Sequence, residues 1–469
     1  MSGKGVAVGN LYLGRYVHSE QSGGVVMKRP RVLSVLFLPV LLIAGGCASE
    51  YIGGNGWNTT DSGTPSNPVT GSDQGYIPTP NRPSCNGQEA TLLGTVYAPN
   101  GIDPVAGATV FVPSKVPELF VPQVRCEACG SLGTSANFWT TVSRSDGTFS
   151  LPLCPGKQDV VIQNGRFRRF IRVTVLAGEA KTLPASETRL PRYNAEFDPL
   201  DAIPNIAVAT GDFDKMECVL NKMGLDSQAV DLYEAATMFA SPVTLEPFSS
   251  LVKDLDKMKK YNIIFINCTG DTFESELFDA KVRQNIHDYV RSGGRLYVTD
   301  WSYDWIEQID AFSPFIDFEP GESSLTPEPI NDATMGQGGI EVAGKINDSQ
   351  MKEWLALFPQ TIVDGAVNIG HFAINWVMMN KAHNNDVKIW VEADVESWQG
   401  GVNGRRPLTV TFNFENCGKI LFTSYHTRGR EYDLGDGPFP QYCTNSWFPQ
   451  ERILEYLIFD IANCLKEPK

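Results

Sequence analysis

Residues 261–300 read YNIIFINCTGDTFESELFDAKVRQNIHDYVRSGGRLYVTD, and this stretch decides the fold of the larger part of the chain. Tyr261–Cys268 is an apolar run, four apolar residues then recur at helical spacing between positions 278 and 290, and Arg295–Thr299 is a second apolar run. Strands that are apolar throughout and alternate with amphipathic helices are typical of a parallel sheet covered on both faces. The stretch therefore predicts an α/β, flavodoxin-like core.

The sequence on either side extends this core. Ile206–Gly211 is a further apolar strand, whereas Val387–Ala393, Leu408–Phe414 and Lys419–Tyr425 alternate in the manner of half-buried strands. A closing helix between positions 453 and 461 presents one apolar face. We expect residues 200–469 to form an α/β domain in which an antiparallel extension is added to a parallel core.

Residues 86–188 follow a different pattern. Six short alternating runs lie between turn sequences such as Asp146-Gly147 and Asn164-Gly165, where glycine accepts the positive φ of a tight turn. This pattern predicts a small all-β sandwich. The protein is thus expected to be multidomain, with the sandwich preceding the α/β domain.

The first 46 residues predict an export signal. From Met27, the better initiator, the chain has the basic run Lys28-Arg29-Pro30-Arg31, thirteen mostly apolar residues, and then Gly45-Gly46-Cys47. Thirteen residues are too few to span a bilayer, which needs about 20. The junction resembles the lipobox of bacterial lipoproteins, which implies a signal region at 1–46 and lipidation of Cys47. The alternative is an ordinary secretory signal with a chance cysteine.

The segment 47–85 is expected to tether the folded part to the membrane. Of the residues from Ala48 to Ser84, 25 of 37 are Gly, Ser, Thr, Pro or Asn, a composition typical of a disordered linker. Ala48 and Ser49 follow the cysteine, and the resemblance then implies an outer-membrane lipoprotein, facing the periplasm or the surface. The N-terminal lipid makes the membrane a partner.

The chain is acidic, with a net charge of -15, and loss of residues 1–46 would remove five basic residues and one acidic residue. Such a surface repels phosphate backbones, which proteins bind through clustered Lys and Arg. We expect no nucleic-acid partner, and a carbohydrate or a protein is the possible partner besides the membrane.

Ten cysteines behind an export signal favour disulfides over metal or redox chemistry. If Cys47 is acylated, nine remain, so at least one thiol is left over. Cys126 and Cys129 form a CxxC in an insertion, and Cys154 lies beside a Pro-Gly turn. These three are candidates for structural disulfides that clamp a loop, while half a zinc site and a redox pair stay open as alternatives for the CxxC.

Residues 86–188 resemble the carboxypeptidase regulatory-like domain, a transthyretin-like sandwich. The resemblance rests on Gly94-Thr95-Val96, on residues 104–110 (PVAGATV), on residues 145–149 (SDGTF), and on Leu153 followed by Pro155-Gly156. It implies an accessory or adhesive module without catalytic residues.

Residues 200–469 resemble the class I glutamine amidotransferase-like superfamily, especially its trehalose-utilisation-protein-like branch. The resemblance rests on residues 261–265 (YNIIF), 289–296 (YVRSGGRL) and 418–426 (GKILFTSYH). The family places its nucleophilic Cys in the turn after the strand matching Arg295–Thr299, with a His near His426. Asp300 stands near the nucleophile position here, and a carboxylate cannot form the thioester. The resemblance therefore implies a fold without glutaminase activity, and Cys268 and Ser302 are weaker alternative nucleophiles.

Asp271, Asp300 and His426 each follow a predicted strand, at the edge where open α/β sheets bind ligands. Asp300, Trp301, Tyr303 and His426 could line a pocket for a polar, sugar-like ligand. Alternatively, Trp301, Tyr303 and Trp305 cover the sheet edge while Asp300 caps the next helix.

We expect no metal and no cofactor. The chain from Cys47 onward has four histidines without HxH or HExxH spacing, and Asp212-Phe213-Asp214 lacks the glycine of a calcium loop. We therefore interpret these two aspartates as surface or capping groups.

These observations favour a non-enzymatic cell-envelope lipoprotein that binds a ligand or a surface partner. The rival hypothesis is a hydrolase or carbohydrate-modifying enzyme that uses Asp300 and His426 as general acid and base. The rival requires both groups at one concave site, within reach of a shared substrate atom.

Overall fold

A computed structural model describes residues 84–126, 139–235, 244–269, 274–318, 329–359, 361–370, 372, 375–383, 386–398, 400–401, 403–427, 438–443 and 446–462. The predictions for the signal region, Cys47, the linker up to residue 83, Cys129 and Asp271 lie outside these residues. Within them, no helix is both long and apolar enough to cross a lipid bilayer.

The first part of the described chain forms two β-sheets. Their strands are β1 (Ala90–Thr95), β2 (Thr109–Val112), β3 (Trp139–Val142), β4 (Thr148–Leu153), β5 (Gly156–Asn164), β6 (Phe167–Val175) and β7 (Ala180–Thr182). One sheet has the order β4-β1-β7 and the other β3-β2-β5-β6. Gly147, in the predicted turn before β4, has φ +76°, and a Cβ there would lie 2.7 Å from the Val96 carbonyl oxygen. Only glycine fits that turn without strain.

The second part contains an eleven-stranded mixed sheet and two small two-stranded sheets, β13-β19 and β14-β18. The strands are β8 (Ile206–Ala209), β9 (Val230–Glu234), β10 (Glu246–Pro247), β11 (Ile263–Ile266), β12 (Arg295–Thr299), β13 (Ile316–Asp317), β14 (Met335–Gln337), β15 (Val342–Ile346), β16 (Ile362–Val363), β17 (Ala366–Ile369), β18 (Asn375–Val377), β19 (Lys381–Ala382), β20 (Val387–Glu396), β21 (Asn403–Phe414) and β22 (Gly418–Thr423). The helices are α1 (Ala185–Thr188), α2 (Met216–Lys222), α3 (Phe248–Val252), α4 (Leu255–Met258), α5 (Ala280–Arg291), α6 (Asp304–Glu307), α7 (Ser349–Leu355) and α8 (Pro449–Ala462).

The order in the large sheet is β10-β9-β8-β11-β12-β22-β21-β20-β15-β17-β16. The pairs from β10 to β22 are parallel, and the pairs from β22 to β16 are antiparallel. The predicted parallel core and its antiparallel extension are both present in this sheet.

Successive residues of the parallel strands enter two different apolar clusters. In β11, Ile263 and Phe265 pack on the side of α2 and α8, while Ile264 and Ile266 pack on the side of α3 and α5. Helices therefore cover both faces, which explains why these strands are apolar throughout rather than alternating.

The two parts of the described chain share one apolar cluster, which runs from Ala90 to Ile461. Polar contacts accompany it, since Trp354 Nε1 donates to the Pro104 carbonyl at 2.6 Å and Arg452 Nη1 lies 2.8 Å from Asp103 Oδ2. The β-sheets at the start of the chain are therefore packed against the large sheet and its helices.

Three disulfides are present among the described residues: Cys85–Cys154, Cys126–Cys417 and Cys218–Cys443. Cys126, which was predicted to clamp a loop, instead bridges 291 residues to Cys417 in the turn between β21 and β22. Cys268 is buried and lies outside these bridges.

Candidate functional site

Cys268, Asp300 and His426 lie together at the carboxyl edge of the parallel sheet. They follow β11, β12 and β22, which are neighbours in the sheet, so their positions at strand ends make them converge. His426 Nε2 lies 2.8 Å from Asp300 Oδ2, and the Cys268 thiol donates to the same oxygen at 3.7 Å. We call these three residues the strand-end triad.

Asp300 has a backbone conformation that few residues other than glycine adopt. Its φ is +43°, in the left-handed region that is costly for residues with a Cβ. Asp300 Oδ1 accepts a hydrogen bond from the Val377 amide at 2.6 Å, while Oδ2 faces Cys268 and His426. The contacts of both carboxylate oxygens hold this turn, which aims the side chain back into the protein.

The triad is buried. Cys268 is 0% exposed, Asp300 1% and His426 5%. A carboxylate removed from water needs compensating contacts; the Val377 amide donates a hydrogen bond to Oδ1, and the His426 imidazole lies 2.8 Å from Oδ2. The ring of Phe213 lies nearly parallel to that of His426, with centroids 6.3 Å apart.

The aromatic residues predicted to line a ligand pocket turn their polar atoms toward the protein. Tyr303 is fully buried, and its hydroxyl accepts hydrogen bonds from the amides of Asp332 and Ala333 at 2.9 and 3.1 Å. Burial raises the pKa of the Tyr303 phenol far above its ordinary range. Trp301 Nε1 donates to the Asn375 carbonyl at 3.0 Å. These contacts match the alternative in which the aromatic side chains cover the sheet edge.

The alternative nucleophile Ser302 is also buried. Its hydroxyl donates to the Asn267 carbonyl at 2.9 Å. Trp305 is fully buried against Phe248. The segment after β12 therefore packs inward along its length.

Asp212 and Asp214 are buried, so the prediction that they are surface groups was wrong. Asp214 Oδ1 accepts hydrogen bonds from the amide and the hydroxyl of Thr427, and Asp212 Oδ2 accepts one from the Thr269 hydroxyl at 2.6 Å. Both aspartates are buried. They connect the loop after β8 to the residues beside Cys268 and His426. Each of these contacts joins residues more than 50 positions apart, so no spacing motif in the sequence predicts them.

A separate polar cleft lies at the opposite edge of the sheet, where β8, β9 and β11 begin. It has a volume of about 710 Å³ and is lined by Tyr193, Asn194, Ile203, Pro204, Asn205, Ile206, Asp226, Gln228, Ala229, Asp231, Lys260 and Tyr261. We call it the amino-edge cleft. It was not predicted from the sequence, because its walls come from separate segments that carry no motif.

Polar side chains form much of the lining of the amino-edge cleft. The Tyr261 hydroxyl donates to Asp231 Oδ2 at 2.8 Å and lies 2.9 Å from the Tyr233 hydroxyl. Burial, with Tyr233 and Asp231 adding to it, raises the pKa of Tyr261 far above its ordinary value, so this phenol stays neutral. Tyr193 is 44% exposed and presents an aromatic surface at the rim.

No protein-family model and no curated protein matches the chain. Among solved structures, a thua-like protein from Parabacteroides merdae is similar at 13% identity and TM-score 0.30, over 56% of this chain and 91% of that one. A thua-like protein from Bacteroides uniformis is similar at 11% identity and TM-score 0.29, over 54% and 89%. PurLQS from Thermotoga maritima is similar at 12% identity and TM-score 0.25, over 54% and 99%.

Proposed function

We propose that the protein is a non-enzymatic lipoprotein of the bacterial cell envelope that binds a polar ligand or a surface partner. In this proposal Cys47 carries the lipid, and the segment that follows it forms the tether as far as Cys85, which the disulfide to Cys154 holds in the folded body. A regulatory-like sandwich and an amidotransferase-like domain without its nucleophile then form the folded body.

The observation that carries the proposal is the closed pairing of Asp300 with His426. Their side chains lie 2.8 Å apart and are almost wholly buried, and the other oxygen of Asp300 accepts from Val377. An acid and a base that act on a substrate must both reach one of its atoms. Here each group faces the other, which favours a structural role for the pair.

The rival function, a hydrolase or carbohydrate-modifying enzyme that uses Asp300 and His426, is favoured by one observation. The two groups are at a single site, and Asp300 has a left-handed backbone conformation of the kind that is often found at active sites. Turnover would require the 2.8 Å pair to open and to admit substrate. Hydrolytic activity that the wild type shows and that both Asp300→Asn and His426→Gln lack would support this rival function.

The ligand surface that we favour is the amino-edge cleft. Its volume lies in the usual range for small-molecule sites, and it combines the Tyr193 and Tyr261 rings with the Asp226 and Asp231 carboxylates. Aromatic faces and hydrogen-bonding groups together suit a sugar-like ring. The acidic lining also agrees with the net charge of -15.

A thermal-shift screen of neutral and cationic glycans, on the chain starting at Ser84, tests this surface. We expect a ligand to raise Tm for the wild type and to lose its effect in Tyr193→Ala. Trp398→Ala is the matched control, because Trp398 is 46% exposed and is not among the residues that line the cleft. A ligand whose Tm shift is unchanged in Tyr193→Ala would place binding elsewhere.

The anchor is tested separately by cell fractionation. Cys47→Ser removes the thiol that would be acylated, so we expect the chain to leave the membrane fraction. Ser49→Ala keeps the thiol and should remain with the membrane. A Cys47→Ser chain that stays in the membrane fraction would contradict lipidation.

A further inference from the structure

The strand-end triad presents a donor set that the proposed ligand binding does not use. It brings together a thiol, a carboxylate and an imidazole whose potential ligand atoms lie within 4.8 Å of one another. We propose that Cys268, Asp300 and His426 bind a divalent transition metal of the zinc class. This inference goes beyond the proposed function and does not depend on it.

Two of the three distances between ligand atoms are close to those around a tetrahedral ion, and all three are within 4.8 Å. Zinc binds sulfur at about 2.3 Å and nitrogen or oxygen at about 2.0–2.2 Å, so its ligand atoms stand roughly 3.3–3.7 Å apart. The Cys268 sulfur lies 3.7 Å from Asp300 Oδ2, which already agrees. The 2.8 Å between His426 Nε2 and Asp300 Oδ2 would widen by roughly half an ångström as both atoms turn toward the ion.

Charge and donor type select the class of metal. A Cys268 thiolate and the Asp300 carboxylate together carry two negative charges, which a divalent cation neutralises within this buried site. Thiolate and imidazole are ligands for zinc and its transition-metal neighbours, whereas magnesium and calcium prefer oxygen alone. The triad supplies three protein ligands, which leaves the fourth tetrahedral position to water or another group.

The surroundings orient the three ligands. The Val377 amide holds Asp300 Oδ1, which directs Oδ2 toward the other two side chains, and the Cys268 amide donates to Thr299 Oγ1 at 3.0 Å. Phe213 stacks on the His426 ring. The Val377 bond is of the kind found around metal-ligating carboxylates, where it fixes the orientation of the donor oxygen before the ion binds.

Metal content of the full chain tests the proposal. The protein is purified in detergent, without chelator or thiol reductant, from cells grown with zinc, and zinc per chain is measured by plasma mass spectrometry. We expect one zinc per chain in the wild type and its loss in Cys268→Ser and in His426→Gln. His383→Gln is the matched control, since His383 Nε2 lies 3.5 Å from Asp317 in a second His–Asp pair; it should retain the zinc.

Growth with cobalt gives a test that the wild-type chain alone can fail. Thiolate ligation of Co²⁺ produces a sulfur-to-metal charge-transfer band in the near ultraviolet, which we expect in the wild-type chain and not in Cys268→Ser. A wild-type chain that holds zinc only at the blank level and shows no such band would overturn the proposal. Zinc that is retained in all three variants would also overturn it, because the ion would then be bound elsewhere.

Discussion

Replacing Asp304 with Asn should change how the stability of the protein depends on pH. Asp304 is fully buried at the start of α6, four residues after Asp300. Its Oδ2 accepts from the Asn331 amide at 3.0 Å and its Oδ1 from Gln308 Nε2 at 3.1 Å. Burial raises the pKa of Asp304 from 3.8 to about 7, because these two neutral donors compensate only in part for lost water.

The sign of the effect follows from proton binding. A carboxyl group with a raised pKa in the folded state holds its proton more tightly there than in the unfolded chain. Its contribution to stability is therefore complete below about pH 4 and is lost as the pH rises to about 7. The full loss is about 4 kcal/mol, at about 1.4 kcal/mol per pH unit.

The amide side chain of the Asp304→Asn variant would keep an oxygen for the Asn331 amide and would not ionise. We expect this variant to gain about 2–3 kcal/mol relative to wild type between pH 5 and pH 7. The assay is urea unfolding, followed by tryptophan fluorescence, with the midpoints at pH 5, 6, 7 and 8 compared through a common m value. Asp310→Asn is the control, because Asp310 is exposed in the same segment.

The control should follow the wild type at every pH. If the difference between Asp304→Asn and wild type stays constant from pH 5 to pH 8, burial does not perturb this carboxyl group. A difference that shrinks with rising pH would refute the sign of the effect.

Two further variants test what holds the described part of the chain together. Replacing Cys218 and Cys443 with Ala removes a disulfide between residues that are 225 apart in sequence. We expect the free energy of unfolding, measured in urea, to fall by about 3–5 kcal/mol. An unchanged unfolding midpoint would refute the bridge. Arg452→Met leaves Asp103 and Glu455 buried without the cation that lies 2.8 and 2.6 Å from them. Because removal of one partner from a buried ion pair leaves an uncompensated buried charge, we expect a loss of about 3–5 kcal/mol at pH 7, and a loss below about 1 kcal/mol would contradict the role of Arg452.

The parallel core could be predicted because its signal is local. Ile263–Ile266 and Arg295–Thr299 are strands buried on both faces, so the two runs stand out in the sequence as apolar stretches. Residues directly after parallel strands lie at the same carboxyl edge of the sheet, independently of the conformation of the connecting loops. This is why Asp300 and His426 could be placed together before any distance was known.

The details of the site could not be predicted, because they depend on contacts between distant segments. The Asp300 carboxylate is oriented by Val377, 77 residues later, and Thr427 is held by Asp214 across 213 residues. Pairing of Cys126 with Cys417 is likewise invisible in their spacing. The amino-edge cleft combines side chains that carry no motif. In each case the information lies in the tertiary packing rather than in any window of sequence.

Native-state alkylation of Cys268 tests most directly whether the strand-end triad is closed. The chain is treated with iodoacetamide with and without urea, and the modified peptide that contains Cys268 is measured by mass spectrometry. Because Cys268 is 0% exposed and contacts Asp300, we expect labelling only after unfolding. Labelling of the native chain as fast as that of the urea-unfolded chain would show a site open to solvent, which would contradict the closed triad and favour the acid–base enzyme.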